Sequence, residues 1–275
     1  MHPGAAHVMS HAQMLLAVAS GGAVGFSLGL IGGGGSILAV PLLLYLVRYP
    51  DPHVVIGTTA LAVSASAYLN LLPHARAGNV RWREGIVFAV IGAAAAFAGS
   101  SLGKVVDGRK LLFLFALLML VVAALMLRPR SVPALATDAR PPRAEFAKIA
   151  AAAAAVGLLS GFFGIGGGFL IVPGLAFSTG MPMLSAVGTS LLSVGTFGLT
   201  TALNYARSGL IDWTVAAMYI GGGVLGGWSG ARWATHLGAK RKDALQKIFA
   251  ALVSVVALYM LYRNFSAFSG AGGTG

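Results

Sequence analysis

Two glycine clusters, one in each half of the chain, interrupt long apolar stretches that carry no charge. The first is GLIGGGGSILAVP at residues 29–41, and the second is GFFGIGGGFLIVP at residues 161–173. Glycine runs weaken a helix because they cost backbone entropy. Within lipid, a broken backbone is tolerated only where protein buries it or a water-filled cavity meets it. Two such breaks therefore predict a duplicated membrane protein with its functional site at the breaks.

The composition also indicates a membrane protein. Hydrophobic residues make up 57% of the chain and charged residues 9%. No Asp, Glu, Lys or Arg precedes Arg48, and none occurs between Ile149 and Ala206. Because about 20 apolar residues span the hydrocarbon core as a helix, we predict an all-α polytopic membrane protein. The absence of cysteine excludes disulfides and thiolate metal sites, and we expect no cofactor, no metal site and no enzyme activity.

Each half contains five apolar segments, the second of which is short and contains a proline. The ten segments cover roughly residues 12–31, 36–47, 54–72, 85–103, 111–127, 149–163, 169–177, 184–205, 213–231 and 245–262. The short segments are either re-entrant, partial helices or full crossings. We predict a first transmembrane repeat (12–127), a basic, proline-rich cytoplasmic linker (128–148), a second repeat (149–262) and a flexible tail (263–275).

The internal repeat extends past the glycine clusters. Residues 55–82 align without gaps onto residues 186–213, so that Gly57-Thr58 matches Gly188-Thr189 and Trp82 matches Trp213. Such repetition is a stronger signal than a single motif. Each half crosses the membrane an odd number of times, five or three, depending on how the break folds. The second repeat is therefore predicted to be inverted relative to the first.

The net charge of +12 fits membrane orientation better than nucleic-acid binding, because the basic residues lie in short connections between apolar segments. In the predicted topology, 13 of the 19 Lys and Arg residues share one face and 6 share the other. The positive-inside rule makes the first face cytoplasmic. Both termini are then expected outside and the linker inside, and no nucleic-acid partner is expected.

The glycine clusters are the main candidates for a binding site. If they end one helix and start another near mid-membrane, the unpaired N–H groups of the new helix attract an anion. Ser36 follows the first cluster where an N-cap or a ligand hydroxyl would lie. The alternative is that the glycines only permit close helix crossing. The candidates are Gly32, Gly33, Gly34, Gly35, Ser36, Gly164, Gly166, Gly167 and Gly168.

Hydroxyl and amide side chains are the next candidates. Thr58 and Thr59 follow Gly57, and Thr189 and Ser190 follow Gly188, so these four could donate to an oxyanion. The alternative is that they bond back to the preceding helical turn. Asn70 and Asn204 could line the same path. All seven Asp and Glu residues fall in predicted loops or at segment ends, and an interior without fixed negative charge suits an anion better than a cation.

Arg76 and Arg207 are the basic residues at matching positions of the repeat. A planar guanidinium suits a carboxylate, sulfonate or phosphate, so the two could attract an anion at opposite mouths and gate its passage. The alternative is that they snorkel to the interface beside Trp82 and Trp213. His74 could carry a proton, since its unperturbed pKa lies near ~6.5, or it could simply be solvated. A proton is therefore one candidate coupling ion.

Two further patterns favour packing over chemistry. Gly21, Gly25 and Gly29 recur every four residues, as do Gly222, Gly226 and Gly230, and this spacing brings helices into close contact. The sequence GWSG at residues 227–230 has the GxSG form of an intramembrane serine protease. A serine nucleophile needs a positioned base, and His236, beside a basic loop, is the nearest downstream histidine. The match is expected by chance in a glycine-rich chain.

These motifs resemble those of the sulfite exporter TauE/SafE transporters. The resemblance rests on GLIGGGGSILAVPLL at residues 29–43, GFFGIGGGFLIVPGL at 161–175, VIGTTAL at 55–61 and AVGTSLL at 186–192, and it covers about residues 13–262. It implies a bacterial inner-membrane permease that exports small sulfur-containing anions such as sulfite, sulfoacetate or related sulfonates. Ser36 and Gly168 occupy matching positions, so the two halves are expected to contribute unequally to binding.

The predicted mechanism is alternating access around a central anion site, with the lipid bilayer and a small anionic substrate as the expected partners. Helix ends at the glycine clusters would supply the donors. An uncoupled anion channel or facilitator of the same fold is the alternative function. A membrane protease is a third and less favoured function.

Overall fold

The structure is a computed structural model and describes residues 9–31, 33–127, 143–166, 168–236 and 239–265. Every regular element in these ranges is helical. The α-helices are α1 His11–Ile31, α2 Ala39–Pro41, α3 Pro52–Arg76, α4 Trp82–Val105, α5 Gly108–Leu127, α6 Arg143–Phe163, α7 Gly168–Thr179, α8 Met183–Ala206, α9 Trp213–His236 and α10 Ala239–Asn264. A 3-10 helix, Gly33–Leu38, precedes α2, and a π-helix, Leu42–Leu46, follows it. We call this continuous stretch, residues 33–46, the mixed helix.

Seven of the described helices are long and apolar enough to cross a membrane, namely α1, α3, α4, α5, α6, α8 and α10. Helix α9 has the same 24-residue length as α4 but is not among these seven. By contrast, α7 has 12 residues and covers only about 18 Å, against a hydrocarbon core of about 30 Å. The chain is an all-α, multi-pass membrane protein with one short helical segment in each half.

An aspartate lies at the N-cap position of three of the long helices. Asp51, Asp107 and Asp212 precede α3, α5 and α9, and each accepts two backbone N–H groups of the first turn at 2.8–3.3 Å. A carboxylate at a helix start pairs with otherwise unsatisfied N–H groups and with the positive end of the helix dipole. These acidic side chains therefore serve as caps at the helix starts.

Glycine faces hold two helix pairs together. Helix α1 packs on α9, and α4 packs on α6. A Cβ added at Gly25 would collide with the Gly223 carbonyl, and one added at Gly157 would collide with the Gly92 carbonyl. The same is true at Gly21, Gly29, Gly222, Gly226 and Gly230, whose added Cβ atoms would meet backbone of the facing helix. The packing role predicted for both glycine ladders is confirmed.

Matching residues of the two halves make matching contacts. An added Cβ at Gly57 would meet the Leu210 carbonyl, and one at Gly188 would meet the Asn79 carbonyl. Each residue of the second contact lies 131 positions from its counterpart in the first. Helices α3 and α8, which correspond in the repeat, run antiparallel, because Gly57 lies beside Tyr205 whereas Gly198 lies beside Ser64.

Two helices extend across the boundaries of the predicted domains. Helix α6 begins at Arg143, inside the residues predicted as linker, and α10 continues to Asn264. Helical hydrogen bonds need no apolar side chain, so polar turns extend both helices past the apolar stretch. The start at Arg143 directly follows Pro142, which fits the preference of proline for positions at or before a helix start. Residues 128–142 and 266–275 lie outside the described part of the chain.

Candidate functional site

The second glycine cluster ends α6 in a Schellman motif. Gly164 has φ of +68°, its N–H donates to Gly161 O at 3.1 Å, and the Ile165 N–H donates to Ser160 O at 3.2 Å. This pair of bonds satisfies carbonyls at a helix end and requires a left-handed residue, which glycine provides. Gly166 has φ of +67°, and α7 then begins at Gly168, which is buried. Gly167 lies outside the described residues.

The first glycine cluster breaks the chain differently. Helix α1 ends at Ile31 and a 3-10 turn begins at Gly33, while Gly32 lies outside the described residues. Gly34 and Gly35 are buried in this turn, and Gly35 packs against Ser27 and Leu28 of α1. Ser36 is fully buried in the fourth position of the turn. It therefore does not occupy the N-cap position that the sequence suggested, because the helix resumes three residues earlier as a 3-10 turn.

The two breaks meet where α3 and α8 cross. The 3-10 turn packs on both α7 and α8. Gly166 lies between the side chains of Val63 and Val194, which hold equivalent positions on α3 and α8. At the same level the Ser64 hydroxyl donates to Gly195 O at 2.7 Å. Both interrupted helices thus reach the middle of the molecule from opposite halves.

Among the buried hydroxyls that have no hydrogen-bond partner in the part of the chain that the structure describes, two lie beside the break at Gly166. Ser160 lies in the last turn of α6 before the break, and Ser193 precedes Val194 on α8; both are 0% exposed. A buried hydroxyl without a partner in the protein is rare, and its proton can be donated to a ligand. The sequence analysis did not single out either residue. The available signal was a lone hydroxyl within an apolar turn, which at Ser160 directly precedes a glycine cluster.

Thr58 and Thr189 do not converge on the breaks. The Thr58 hydroxyl accepts the Asp212 N–H at 3.0 Å, and the Thr189 hydroxyl accepts the Arg81 N–H at 3.0 Å. Each threonine thus anchors the loop that leads into α9 or α4. Because Gly57 lies beside Tyr205, the two threonines are separated by about 24 Å along α8, at 1.5 Å per residue. They form equivalent contacts at opposite ends of the molecule.

Thr59 and Ser190 bond within their own helices. The Thr59 hydroxyl donates to Val55 O at 2.7 Å, and the Ser190 hydroxyl donates to Val187 O at 2.8 Å. This is the back-bonding alternative considered from the sequence. Both hydroxyl protons are engaged in these bonds.

The two predicted asparagines lie in separate places. Asn70 donates to Ser66 O at 2.9 Å and packs against Gly227 of α9. Asn204 belongs to a polar cluster with α4, where its side-chain oxygen accepts from Lys104 Nζ at 2.9 Å. Its amide nitrogen donates to Ser100 Oγ at 2.7 Å. The cluster was not apparent from the sequence, because Lys104 and Asn204 are 100 residues apart.

Arg76 and Arg207 lie at the ends of α3 and α8, which point in opposite directions, and both are exposed. The two side chains therefore lie at opposite ends of the α3–α8 pair. His74 is half-buried in the last turn of α3, and its Nδ1 has no partner among the described residues. None of these three side chains belongs to the packed crossing at the breaks.

The comparisons with known proteins agree with this architecture. The family model described as "Sulfite exporter TauE/SafE" matches residues 17–260. The chain belongs to the sulfite exporter TauE/SafE family. No solved structure matches it.

Relatives of this TauE/SafE protein are named as transporters. A "Probable membrane transporter protein" of Xylella fastidiosa is 51% identical over 94% of this chain and 98% of its own length. The "Probable membrane transporter protein YunE" of Bacillus subtilis is 26% identical over 84% of this chain and 92% of its own length. A "Probable membrane transporter protein" of Haemophilus influenzae is 27% identical over 91% of this chain. The family and these names indicate a membrane transporter.

The GxSG sequence of this TauE/SafE chain has an ordinary helical environment. Ser229 is exposed on α9, and its hydroxyl donates to Gly226 O at 2.8 Å, within its own helix. The Gly230 backbone packs against Phe26 of α1. This part of the chain therefore serves the α1–α9 contact.

Proposed function

We propose that this chain exports small sulfur-containing anions, such as sulfite, sulfoacetate or related sulfonates, by alternating access around the two helix breaks. One observation carries the proposal: both glycine-interrupted helices reach the α3–α8 crossing, where Gly166 lies between Val63 and Val194. The choice of sulfur-containing anions comes from the family to which the chain belongs.

The chemistry of the crossing favours an anion. The first-turn N–H groups of α7 lack partners within the helix and carry partial positive charge. The unpartnered hydroxyls of Ser160 and Ser193 add two donors in the elements that meet there. Of the acidic side chains that the structure describes, three cap helices at their starts and the fourth, Glu84, lies in the first turn of α4. A buried cation would therefore find no carboxylate at the breaks.

The proposed transport cycle uses two inverted repeats. Matching helices α3 and α8 run antiparallel and exchange equivalent contacts, as expected when two halves are related by an axis in the membrane plane. Rocking one half against the other would then expose the breaks to each side in turn. We place this chain in a bacterial inner membrane, with both termini outside and the basic linker inside by the positive-inside rule. Arg76 and Arg207 would attract the anion at the two mouths.

A substrate panel in proteoliposomes tests the function. Sulfite, sulfoacetate, taurine and sulfate are offered with and without a proton gradient, and flux is followed over time. We expect saturable flux of sulfite or a sulfonate, with stimulation by substrate on the opposite side. A dependence on the gradient would assign the proton as coupling ion. Linear conductance without stimulation would favour the uncoupled channel. Absence of flux for sulfite, sulfoacetate and taurine would defeat the substrate proposal.

A pair of substitutions tests the site. Ser160→Ala and Ser193→Ala each remove one unpartnered hydroxyl, and we expect transport of the best substrate to fall about tenfold, the worth of one hydrogen bond to a charged group. Ser254→Ala on α10 is the matched control, because its hydroxyl bonds to Ala250 O within its own helix. Equal transport by all three variants would contradict the assignment of the breaks as the binding site.

A further inference from the structure

A cavity opens at one end of the molecule, apart from the breaks. It has a volume of about 1240 Å³ and lies where the end of the mixed helix, the start of α5 and the end of α10 come together. Its lining includes Arg48, Arg109 and Arg263. These three residues are half of the six basic residues that the predicted topology assigns to this face. The charges come from three distant parts of the sequence and meet only in the folded chain.

The carboxylates at this end are already engaged. Asp51, Asp107 and Asp212 each accept N–H groups at a helix start, and Asp212 also accepts the Tyr49 hydroxyl at 3.0 Å. No ion pair joins Arg48, Arg109 or Arg263 to a carboxylate within the described ranges. Three guanidinium groups thus share one cavity without an ion-pair partner among the described residues.

A tyrosine hydroxyl adds a donor to the same cavity. Tyr45 accepts from Asn264 Nδ2 at 2.9 Å, and the ring of Tyr45 lies edge-on to Tyr259 with centroids 5.2 Å apart. Asn264 is held in turn by a bond from its Nδ2 to Met260 O at 2.8 Å. These contacts fix the Tyr45 ring, and because its oxygen serves as acceptor, its own proton is available to a ligand.

Arg48 is the single non-glycine residue with a positive φ in the described part of the chain, and its φ is +61°. Left-handed conformations are uncommon for such residues, and strained positions concentrate at binding sites. The turn at Arg48 directs the chain from the mixed helix toward α3 along the rim of this cavity.

We propose that this cavity binds an oxyanion group of the phosphate or sulfonate type, at a site separate from the transport site. Guanidinium groups recognise such oxyanions through paired N–H donors. Leu44, Leu112 and Leu261 supply an apolar part of the wall. The group can therefore belong to a free anion or to the head of an anionic lipid with its chain along that wall.

The test uses the full-length protein in nanodiscs of phosphatidylcholine. The triple variant Arg48→Asn/Arg109→Gln/Arg263→Gln removes the three charges, with asparagine at position 48 because it tolerates the left-handed conformation. Inorganic phosphate binding is measured by calorimetry. Retention of phosphatidylglycerol, added to the nanodiscs, is counted by native mass spectrometry. We expect the triple variant to bind inorganic phosphate or phosphatidylglycerol at least about tenfold more weakly than the unmodified protein does.

Single substitutions provide the matched control. Arg109→Gln and Lys110→Gln each remove one exposed charge at neighbouring positions, but only Arg109 lines the cavity. If Arg109→Gln weakens phosphate binding but not lipid retention, the ligand is a free anion. If it weakens lipid retention but not phosphate binding, the ligand is a lipid head group. Equal behaviour of Arg109→Gln, the triple variant and Lys110→Gln in both assays would overturn the proposal. Because Ser160→Ala is expected to weaken transport about tenfold yet keep this binding, failure of one site is distinguishable from failure of the other.

Discussion

The two halves of the molecule share their helix contacts but differ at their glycine breaks. Thr58 accepts the Asp212 N–H and Thr189 accepts the Arg81 N–H, both at 3.0 Å, in equivalent positions. The break of the first half is a 3-10 turn, whereas that of the second is a Schellman motif followed by a second left-handed glycine, Gly166.

The difference shows that helix packing and binding constrain a duplicated chain to different degrees. Helices α1 and α9, like α4 and α6, approach so closely that a single added methyl group would meet backbone. Close-packed interiors leave no room to absorb such a change. A helix end can satisfy its backbone groups with several turn types, so the breaks could diverge while the packing stayed the same.

The largest expected effect comes from the shared packing. Gly25→Ala and Gly157→Ala place a Cβ against the Gly223 and Gly92 carbonyls, and each should cost about 3 kcal/mol, the upper range for overpacking. Thermal unfolding in detergent, with size-exclusion chromatography, measures the loss. Gly221→Ala is the control, since nothing lies within 4 Å of its added Cβ. A large loss of stability in one of the variants Gly25→Ala and Gly157→Ala, and none in the other, would refute equivalent packing.

The breaks should respond unequally. Gly166→Ala forces a side chain into the left-handed region, at a cost of about 1–2 kcal/mol, whereas Gly34 lies in a 3-10 turn that alanine can adopt. We expect the Gly166 variant to lose more sulfite uptake and more thermal stability than Gly34→Ala. The comparison fails if Gly34→Ala proves the more damaging of the two.

The two loop anchors should respond equally. Thr58→Val and Thr189→Val each remove the acceptor of one backbone N–H, and each should lower the free energy of unfolding by about 1 kcal/mol. Chemical or thermal unfolding of the purified variants gives the two values. A difference larger than their experimental error would show that the loops before α9 and α4 are held by different interactions.

The smallest effect concerns a contact present in one half only. Burial, followed by the hydrogen bond and charge of Asp212, raises the pKa of Tyr49 above its usual value. Above about pH 10 the unfolded chain releases this proton while the folded chain keeps it, so stability falls as pH rises. The free energy of unfolding of the unmodified protein should fall more steeply with pH than that of Tyr49→Phe. The extra loss should be less than about 1 kcal/mol at pH 10.5. Parallel slopes in thermal unfolding between pH 9 and 10.5 would contradict this.

Much of the fold could be predicted from the sequence. The ten apolar segments correspond to the described helices, because apolar length and glycine breaks are local properties that lipid enforces directly. The packing role of the glycine ladders followed from their spacing for the same reason. The binding site was less predictable. The sequence cannot distinguish Thr58 and Thr189 from hydroxyls that bind a ligand, yet each accepts a loop N–H, and the two lie about 24 Å apart along α8.

The sequence by itself thus determined where helices run, where they break, and that the chain is duplicated. Only the tertiary structure decided which polar groups lack partners, because that depends on the groups of other helices that reach them. Ser160 and Ser193 are isolated by packing, Lys104 meets Asn204 across 100 residues, and three arginines from distant segments line one cavity. Hydrogen bonding and charge are settled by distance in space, which separation along the chain does not specify.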